Sequence, residues 1–193
     1  MLGLLQPTPA TWVEAAEGDL DRLLRDHAHC ELKAAQSALS LAARFAGEAP
    51  ELVGPLMALA HEETDHFTAV HDRIRQRGRT MAQPDKDDYV VGLRAAAKRQ
   101  SIGHPLLDRL LVSALVEARS CERFHLLAEH LADASLRAFY KDLMASEARH
   151  FRLFTRLAEE RFGESDARAR LSQLAASEAA VVQRLPLGPT VHG

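Results

Sequence analysis

The side chains best suited to chemistry in this chain are four glutamates and two histidines that recur in a fixed order. A single Glu is followed at a distance by a Glu-x-x-His unit, and the same arrangement then occurs again. Four helices that supply Glu, Glu-x-x-His, Glu and Glu-x-x-His to one core are a known way for a helical bundle to hold two metal ions. The candidate ligands are Glu31, Glu63, His66, Glu117, Glu147 and His150.

The residue types of this ligand set indicate which metal it would bind. Carboxylate-rich sites with one imidazole per metal suit iron, with manganese as the alternative, better than zinc or copper. Such a centre could activate O2 to hydroxylate a C–H bond, oxidise iron for storage, reduce peroxide or generate a radical. The ligands alone leave these chemistries open, and any catalytic role of the six residues would act through the metals.

Hydrophobic periodicity predicts the helices that must carry these ligands. Four segments place apolar residues at steps of three and four, which is typical of amphipathic helices. These segments are residues 19–45, 52–70, 107–131 and 136–157. All six candidate ligands lie on the apolar faces, which carry no Lys or Arg. Because an unpaired buried carboxylate is costly, this placement favours a bound cation over a polar network without metal.

Glycine and proline clusters separate the predicted helices, and the longest connection lies between the second and the third. Within it, residues 90–99 predict a shorter helix, which would provide one long crossover as in ferritin-like bundles. We therefore predict a single all-α domain over residues 1–193, a ferritin-like four-helix bundle with a long crossover and additional peripheral helices. Its core would span about residues 19–162, with a peripheral helix and tail at about 165–193.

The two halves of the chain align without gaps around the first ligand of each half, so that Glu31 pairs with Glu117. This alignment selects Glu117 over the nearby Glu122, which also lies off the apolar face. The repeat predicts a pseudo-two-fold bundle in which each half contributes equally to the metal site.

Residues adjoining the candidate ligands each have two interpretations. His27 lies one turn before Glu31 and either orients that carboxylate or is a satisfied core histidine, which the sequence favours. Glu62 either steadies an imidazole or is a solvated surface residue. Cys30 and Cys121 are too few for a disulfide framework, and we expect two small buried thiols.

The composition is that of an ordinary globular protein, with 47% hydrophobic and 26% charged residues and a formal net charge of −3. This charge does not indicate nucleic-acid binding, although local patches rather than totals contact phosphates. Arg73, Arg75, Arg77 and Arg79 recur where the second long helix ends. They form either a solvated terminus that complements the helix dipole or a phosphate-binding strip. Without a signal peptide or a bilayer-spanning apolar run, we expect a cytoplasmic protein with no membrane partner.

Three stretches resemble the tRNA 2-methylthio-N6-isopentenyladenosine hydroxylase family. They are HCELKAAQ at residues 29–36, EARSCERF at 117–124 and SEARHF at 146–151, and the second is far more specific than Glu-x-x-His. The resemblance covers about residues 26–160. It implies a ferritin-like fold and a non-haem di-iron centre that uses O2 and electrons to hydroxylate the prenyl chain of a hypermodified adenosine beside the anticodon. It also implies that the metal ligands are the six residues already selected by periodicity.

The resemblance further implies that tRNA binds through its anticodon loop and that O2 is the co-substrate. Because the chain has no Cys-x-x-Cys pair, we expect an external reductase as electron donor. A basic rim would be needed for the phosphates, supplied by the arginine run or by Lys98 and Arg99. Tyr89 and Tyr140 are the available radical sites, with packing favoured for Tyr140. The alternative class is a ferritin-like iron-binding, storage or peroxide-reducing protein without an organic substrate.

Overall fold

The computed structural model describes residues 2–100 and 103–192, and this part of the chain is helical, with no strand. A short 3-10 helix, Pro50–Leu52, precedes the second long helix. The α-helices are α1 (Thr11–Gly18), α2 (Leu20–Phe45), α3 (Val53–Gln76), α4 (Asp88–Arg99), α5 (Pro105–His130), α6 (Ala134–Phe162) and α7 (Glu164–Val182). The four long amphipathic segments are α2, α3, α5 and α6, which confirms the all-α prediction.

Local chemistry explains where the ligand-bearing helices begin and end. Asp19 caps α2, and its side chain accepts a hydrogen bond from the backbone N–H of Arg22 at 3.0 Å. Asp133 caps α6 in the same way, accepting from the N–H of Leu136 at 3.1 Å. Such caps satisfy amides that have no partner inside the helix. Gly163 ends α6 with φ of +90°, a left-handed conformation that costs glycine little.

The first pair of long helices belongs to one compact unit, residues 18–86 with 189–191. Within it α2 and α3 pack against each other, joined by the 3-10 helix. Arg77 and Arg79, just after α3, donate hydrogen bonds to Asp21 at the start of α2. The buried apolar side chains of this unit include Leu24, Ala28, Leu41, Phe45, Leu56, Leu59, Val70 and Ile74.

The second pair of long helices belongs to the other compact unit, whose described part is residues 2–17, 87–100, 103–188 and 192. Here α5 and α6 pack against each other, while α4 and α7 pack together and both contact α5. The connecting helix predicted at residues 90–99 is α4, and the outer helix predicted near the C-terminus is α7. That the whole chain forms one domain stays a prediction.

The segment after α7 was predicted as a tail, but its described part is held in place at His192. This side chain is buried, with Nδ1 at 3.2 Å from Asp87 Oδ2 and Nε2 at 3.2 Å from Ser120 Oγ. Its ring stacks on Tyr89 with the centroids 5.0 Å apart. Gly193, which ends the predicted tail, lies outside the described residues.

None of the helices in the described ranges is both long enough and apolar enough to cross a lipid bilayer.

Candidate metal centre

Glu31, Glu63 and His66 form a ligand set in the unit that contains α2 and α3. Each of them offers an atom within 4.8 Å of the others. The Nδ1 atom of His66 lies 3.2 Å from Glu63 Oε2 and 3.8 Å from Glu31 Oε2. Glu63 and His66 are three residues apart on α3, a spacing that places both on one face. Both carboxylates are buried, and the imidazole is mostly so.

Glu117, Glu147 and His150 form the corresponding set in the unit that contains α5 and α6. His150 Nδ1 lies 3.8 Å from Glu147 Oε1, and Glu117 offers an oxygen within 4.8 Å of a His150 ring nitrogen. All three side chains are buried. In both sets the imidazole therefore turns Nδ1 toward the Glu one turn earlier on its helix. The repeat seen in the sequence extends to the geometry of the side chains.

The two ligand sets fit a hard divalent cation such as iron or manganese. Each set offers two carboxylates and one imidazole, which are oxygen and nitrogen ligands suited to these metals. Buried carboxylates in their ionised form need a positive charge nearby. The three buried arginines in the described part of the unit that contains α5 and α6 are engaged elsewhere. Arg119 binds Glu122 and Glu178, Arg170 binds Asp108, and Arg123 lies over the Trp12 ring. A metal ion is thus the cation that the sets best accommodate.

His27 contacts a candidate ligand directly, although the sequence favoured a satisfied core histidine over a residue that orients a ligand. Its Nε2 lies 2.7 Å from Glu31 Oε1, and the imidazole is fully buried. Glu62 is also beside the centre, with Oε1 at 3.9 Å from His66 Nε2 and a side chain 37% exposed. The structure favours the orienting role for His27 and places Glu62 both at the surface and beside an imidazole.

Glu122 is not among the atoms that cluster with His150, but it is buried rather than solvated. Its carboxylate accepts hydrogen bonds from Thr8 Oγ1 at 2.7 Å and from Arg119. Arg119 also donates to Glu178 Oε1, which accepts a further hydrogen bond from Tyr89 OH at 3.1 Å. Sequence reasoning missed this network because its partners lie as many as 114 residues apart.

Electrostatics keep two members of this network, Tyr89 and Arg119, in defined protonation states. Burial and the adjacent Glu178 carboxylate raise the pKa of Tyr89 well above its usual range, so the phenol stays a neutral donor. Burial alone would lower the pKa of Arg119, but the Glu178 and Glu122 carboxylates raise it, so the guanidinium stays charged. Burial also raises the pKa of the Glu178 carboxyl. Tyr89 therefore serves as a structural hydrogen-bond donor.

The remaining residues singled out near the ligands pack into their units. Tyr140 is fully buried, with ring centroids 5.2 Å from Phe124 and 5.4 Å from Phe139, as expected for a packing role. Of the two cysteines expected to be buried, Cys121 is buried and donates to the carbonyl of Met144 at 3.4 Å, whereas Cys30 is only half-buried. Burial raises the pKa of the Cys121 thiol to about 11, so the thiol is protonated at neutral pH.

Comparison with known proteins identifies related chains. The family described as tRNA-(ms2io6A)-hydroxylase (MiaE) matches residues 2–193. The tRNA 2-(methylsulfanyl)-N(6)-isopentenyladenosine(37) hydroxylase of Pseudomonas putida is 38% identical over 92% of this chain and 85% of its own. The enzyme of the same name from Salmonella typhimurium is 30% identical over 80% of this chain and 74% of its own.

A solved structure is similar to this chain over almost its whole length. Protein 43 with aldehyde deformylating oxygenase activity from Synechococcus has a TM-score of 0.90 and is 40% identical, covering 98% of this chain and 95% of its own. The fold class is accordingly all-α and ferritin-like, as the sequence predicted. From the match along its whole length and the two named relatives, the chain belongs to the tRNA-(ms2io6A)-hydroxylase (MiaE) family.

Proposed function

We propose that this protein is a non-haem di-iron monooxygenase that hydroxylates the isopentenyl group of a hypermodified adenosine in tRNA. The observation that carries the proposal is the family match along residues 2–193 combined with two buried ligand sets of the same composition. The relatives from Pseudomonas putida and Salmonella typhimurium are both named as hydroxylases of a prenylated tRNA adenosine. A tRNA-modifying enzyme would act in the cytoplasm.

We propose further that the two ligand sets act together on two iron ions, with manganese as the alternative metal. The iron, when bound, would supply the activation of O2, so that one oxygen atom enters the product as a hydroxyl group and the other leaves as water. The balance requires two electrons and two protons, which an external reductase and solvent would provide. The ligands are Glu31, Glu63, His66, Glu117, Glu147 and His150.

The protein side chains would bind the metals, orient the ligands and exclude water from the site. The buried carboxylates hold positive charge where bulk water is excluded, which strengthens every electrostatic interaction there. His27 fixes the orientation of Glu31 through its 2.7 Å contact. An apolar prenyl group also suits an interior built from leucine, alanine and phenylalanine.

Binding of tRNA through its anticodon loop would need cations for the phosphates, and the arginine run after α3 is our first candidate. Arg77 and Arg79 donate to Asp21 at 2.8 and 2.6 Å, and Arg75 lies 4.0 Å from Asp72. All three arginine side chains are more than a third exposed. Asp21 itself is 20% exposed, but ion pairs whose arginines are this exposed contribute little stability, so a phosphate could replace the carboxylate as partner.

Two other groups of exposed cations are further candidates, one of two residues and one of four. Lys98 and Arg99 end α4 and are exposed. The outer side of α6 carries four exposed cations at steps of three and four or their multiples, and they form a stripe of positive charge. These are Lys141, Arg149, Arg152 and Arg156. Salt-dependent binding measurements can separate the three surfaces.

The decisive test is mass analysis of nucleosides from tRNA of cells with and without this gene. We expect the hydroxylated prenyl adenosine only in cells that have the gene. In a parallel test, purified iron-loaded protein is given prenylated tRNA, a reductant and 18O2, and we expect one labelled oxygen atom in the nucleoside. The Glu117→Ala variant serves as the inactive control. Absence of the hydroxylated nucleoside in both tests would contradict the proposal.

A second candidate function follows from the structural relative with aldehyde deformylating oxygenase activity. It predicts that the protein would deformylate an aldehyde RCHO with O2, four electrons and four protons from an external reductase and solvent, giving RH, formic acid and water. Formate release from an aldehyde, without oxidation of prenylated tRNA, would favour this function. The family match favours the tRNA hydroxylase over both this candidate and an iron-storage or peroxide-reducing role.

A further inference from the structure

The candidate ligands repeat between the two halves of the chain, but the residue one turn before the first ligand does not. His27 lies four residues before Glu31, whereas Ser113 lies four residues before Glu117. The His27 imidazole contacts Glu31 Oε1 at 2.7 Å, while Glu31 Oε2 is the oxygen that faces His66. His27 would thereby leave Oε2 as the oxygen of Glu31 that is available to a metal. A serine has no imidazole with which to do the same for Glu117.

The residue immediately before each Glu-x-x-His unit also differs between the two halves. Glu62 places Oε1 at 3.9 Å from Nε2 of His66, whose Nδ1 faces Glu63. An imidazole that bound a metal through Nδ1 would carry its proton on Nε2, and the Glu62 carboxylate at 3.9 Å would act on that side of the ring through its negative charge rather than through a hydrogen bond. The equivalent residue in the other half is Ser146, whose hydroxyl accepts a hydrogen bond from Arg149 Nη2 at 2.9 Å. The second half thus has a small neutral residue where the first has a carboxylate.

We propose that the two metal positions are inequivalent, and that the metal held by Glu31 and His66 is bound more tightly. This inference rests on the two-metal centre proposed above. A carboxylate behind a metal-bound imidazole raises the basicity of that ligand, and a fixed carboxylate loses less freedom on binding. Outer partners of this kind change metal affinity by about 10–100-fold. His27 and Glu62 are positioning residues, since each acts through a ligand.

The test is an anaerobic calorimetric titration of the metal-free, full-length protein with Fe(II). We expect two binding events whose Kd values differ by about 10–100-fold. The double variant His27→Ser/Glu62→Ser gives the first half the same residue type as Ser113 and Ser146. In this variant the tight event should weaken to nearly the affinity of the weak event, which should itself hardly change.

Matched control variants test whether the loss of iron affinity is specific to His27 and Glu62. His29 lies on α2 but binds the carbonyl of Ala82, and Asp65 is an exposed residue of α3. The variant His29→Ser/Asp65→Ser should therefore preserve both events. Glu62→Gln, which is nearly isosteric, covers the case in which the double variant does not fold, and it should weaken the tight event alone.

Several outcomes would overturn the inference. Equal affinities at both positions of the unmodified protein, or an equal loss at both in the variants, would contradict it. A protein that binds no metal would overturn both this inference and the two-metal centre. The titration does not involve tRNA, so two unequal sites in a protein that never oxidises prenylated tRNA would contradict the proposed function alone.

Discussion

Arg119 of α5 donates two hydrogen bonds, from Nε and Nη2, to the same carboxylate oxygen of Glu178 on α7, at 3.0 and 2.8 Å. Both side chains are fully buried. The Nη1 group of Arg119 donates to Thr8 Oγ1 and to Glu122, so one guanidinium joins α5, α7 and the segment before α1. Because Arg119 lies two residues after Glu117, this network fixes the helix that presents a candidate metal ligand.

Removal of one carboxylate from the network should destabilise the fold without emptying the metal centre. We expect Glu122→Ala to lower the free energy of unfolding by about 3 kcal/mol, because Arg119 is left buried with less compensation. Urea unfolding measures the change, and Glu129→Ala, an exposed position of the same helix, should stay within about 0.5 kcal/mol of the unmodified protein.

The metal content of two single variants, Glu117→Ala and Glu122→Ala, tests the choice of ligand on α5. Glu117→Ala should lose iron and activity, whereas Glu122→Ala should keep most of its iron when folded. Elemental analysis of protein purified from iron-replete cells decides between them. The reverse pattern would show that Glu122 is the ligand and that the sequence alignment of the two halves is wrong.

Removal of the metal should lower stability markedly. The ligand sets are buried, and carboxylates close together without a cation disfavour one another's ionised form. Metal that binds only the folded state stabilises it by about 2.7 kcal/mol when its free concentration is 100 times the Kd. We expect a higher Tm for the iron-loaded protein than for the chelator-treated one. Coincident melting curves would contradict a metal site in the folded protein.

Neutralisation of the arginine run should weaken tRNA binding and flatten its dependence on salt. Each phosphate that the protein no longer neutralises reduces the slope of log K against log salt by about 0.7–0.9. The matched control removes the same number of charges from the outer side of α6. The test variant changes Arg73, Arg75, Arg77 and Arg79 to Ala, and the control changes Lys141, Arg149, Arg152 and Arg156 to Ala. A larger flattening in the control would place the docking surface on α6.

Thiol labelling should distinguish the two cysteines by their environment. Cys121 is buried and its pKa is raised to about 11 by burial, while Cys30 is half-buried. At pH 8, iodoacetamide should therefore modify Cys30 well before Cys121 in the native protein and both at similar rates in the unfolded chain. Equal rates in the native protein would contradict the burial of Cys121.

The raised pKa of the Cys121 thiol also has a consequence for the stability of the protein at high pH. A thiol whose pKa is raised in the folded state favours folding at pH values below its ordinary pKa of about 8.5. This contribution is lost as the pH rises toward 11, because the unfolded chain then releases the proton more readily. Cys121→Ala should reduce the loss of stability over that range, as measured by urea unfolding at several pH values.

Much of the candidate site could be predicted because its geometry is local to single helices. Glu63 and His66, like Glu147 and His150, are three residues apart and so share a helix face wherever the helix packs. Apolar periodicity then showed which face is buried. In the structure Glu31 offers an oxygen within 4.8 Å of ligand atoms of Glu63 and His66. No local pattern predicts this contact between α2 and α3, and in the sequence only the internal repeat pointed to it.

What the sequence did not predict depends on residues far apart in the chain. His192 reaches Asp87 and Ser120 across separations of 105 and 72 residues, and no local pattern marks a tail residue as buried. Glu122 falls off the apolar face of α5, where a solvated residue is the ordinary expectation. It is buried because the segment before α1 and the helix α7 cover the side of α5 that an amphipathic helix leaves open.

The burial of α5 also explains why one short stretch of sequence indicates the family so specifically. Every residue from 117 to 124 is buried, on all sides of the helix. Substitutions are usually tolerated best at solvent-exposed positions, and this stretch has none. A change at any of its positions would disturb a candidate metal ligand, an ion pair or the packing of a neighbouring helix. The residues of the motif EARSCERF are therefore restricted by folding as much as by the proposed catalysis.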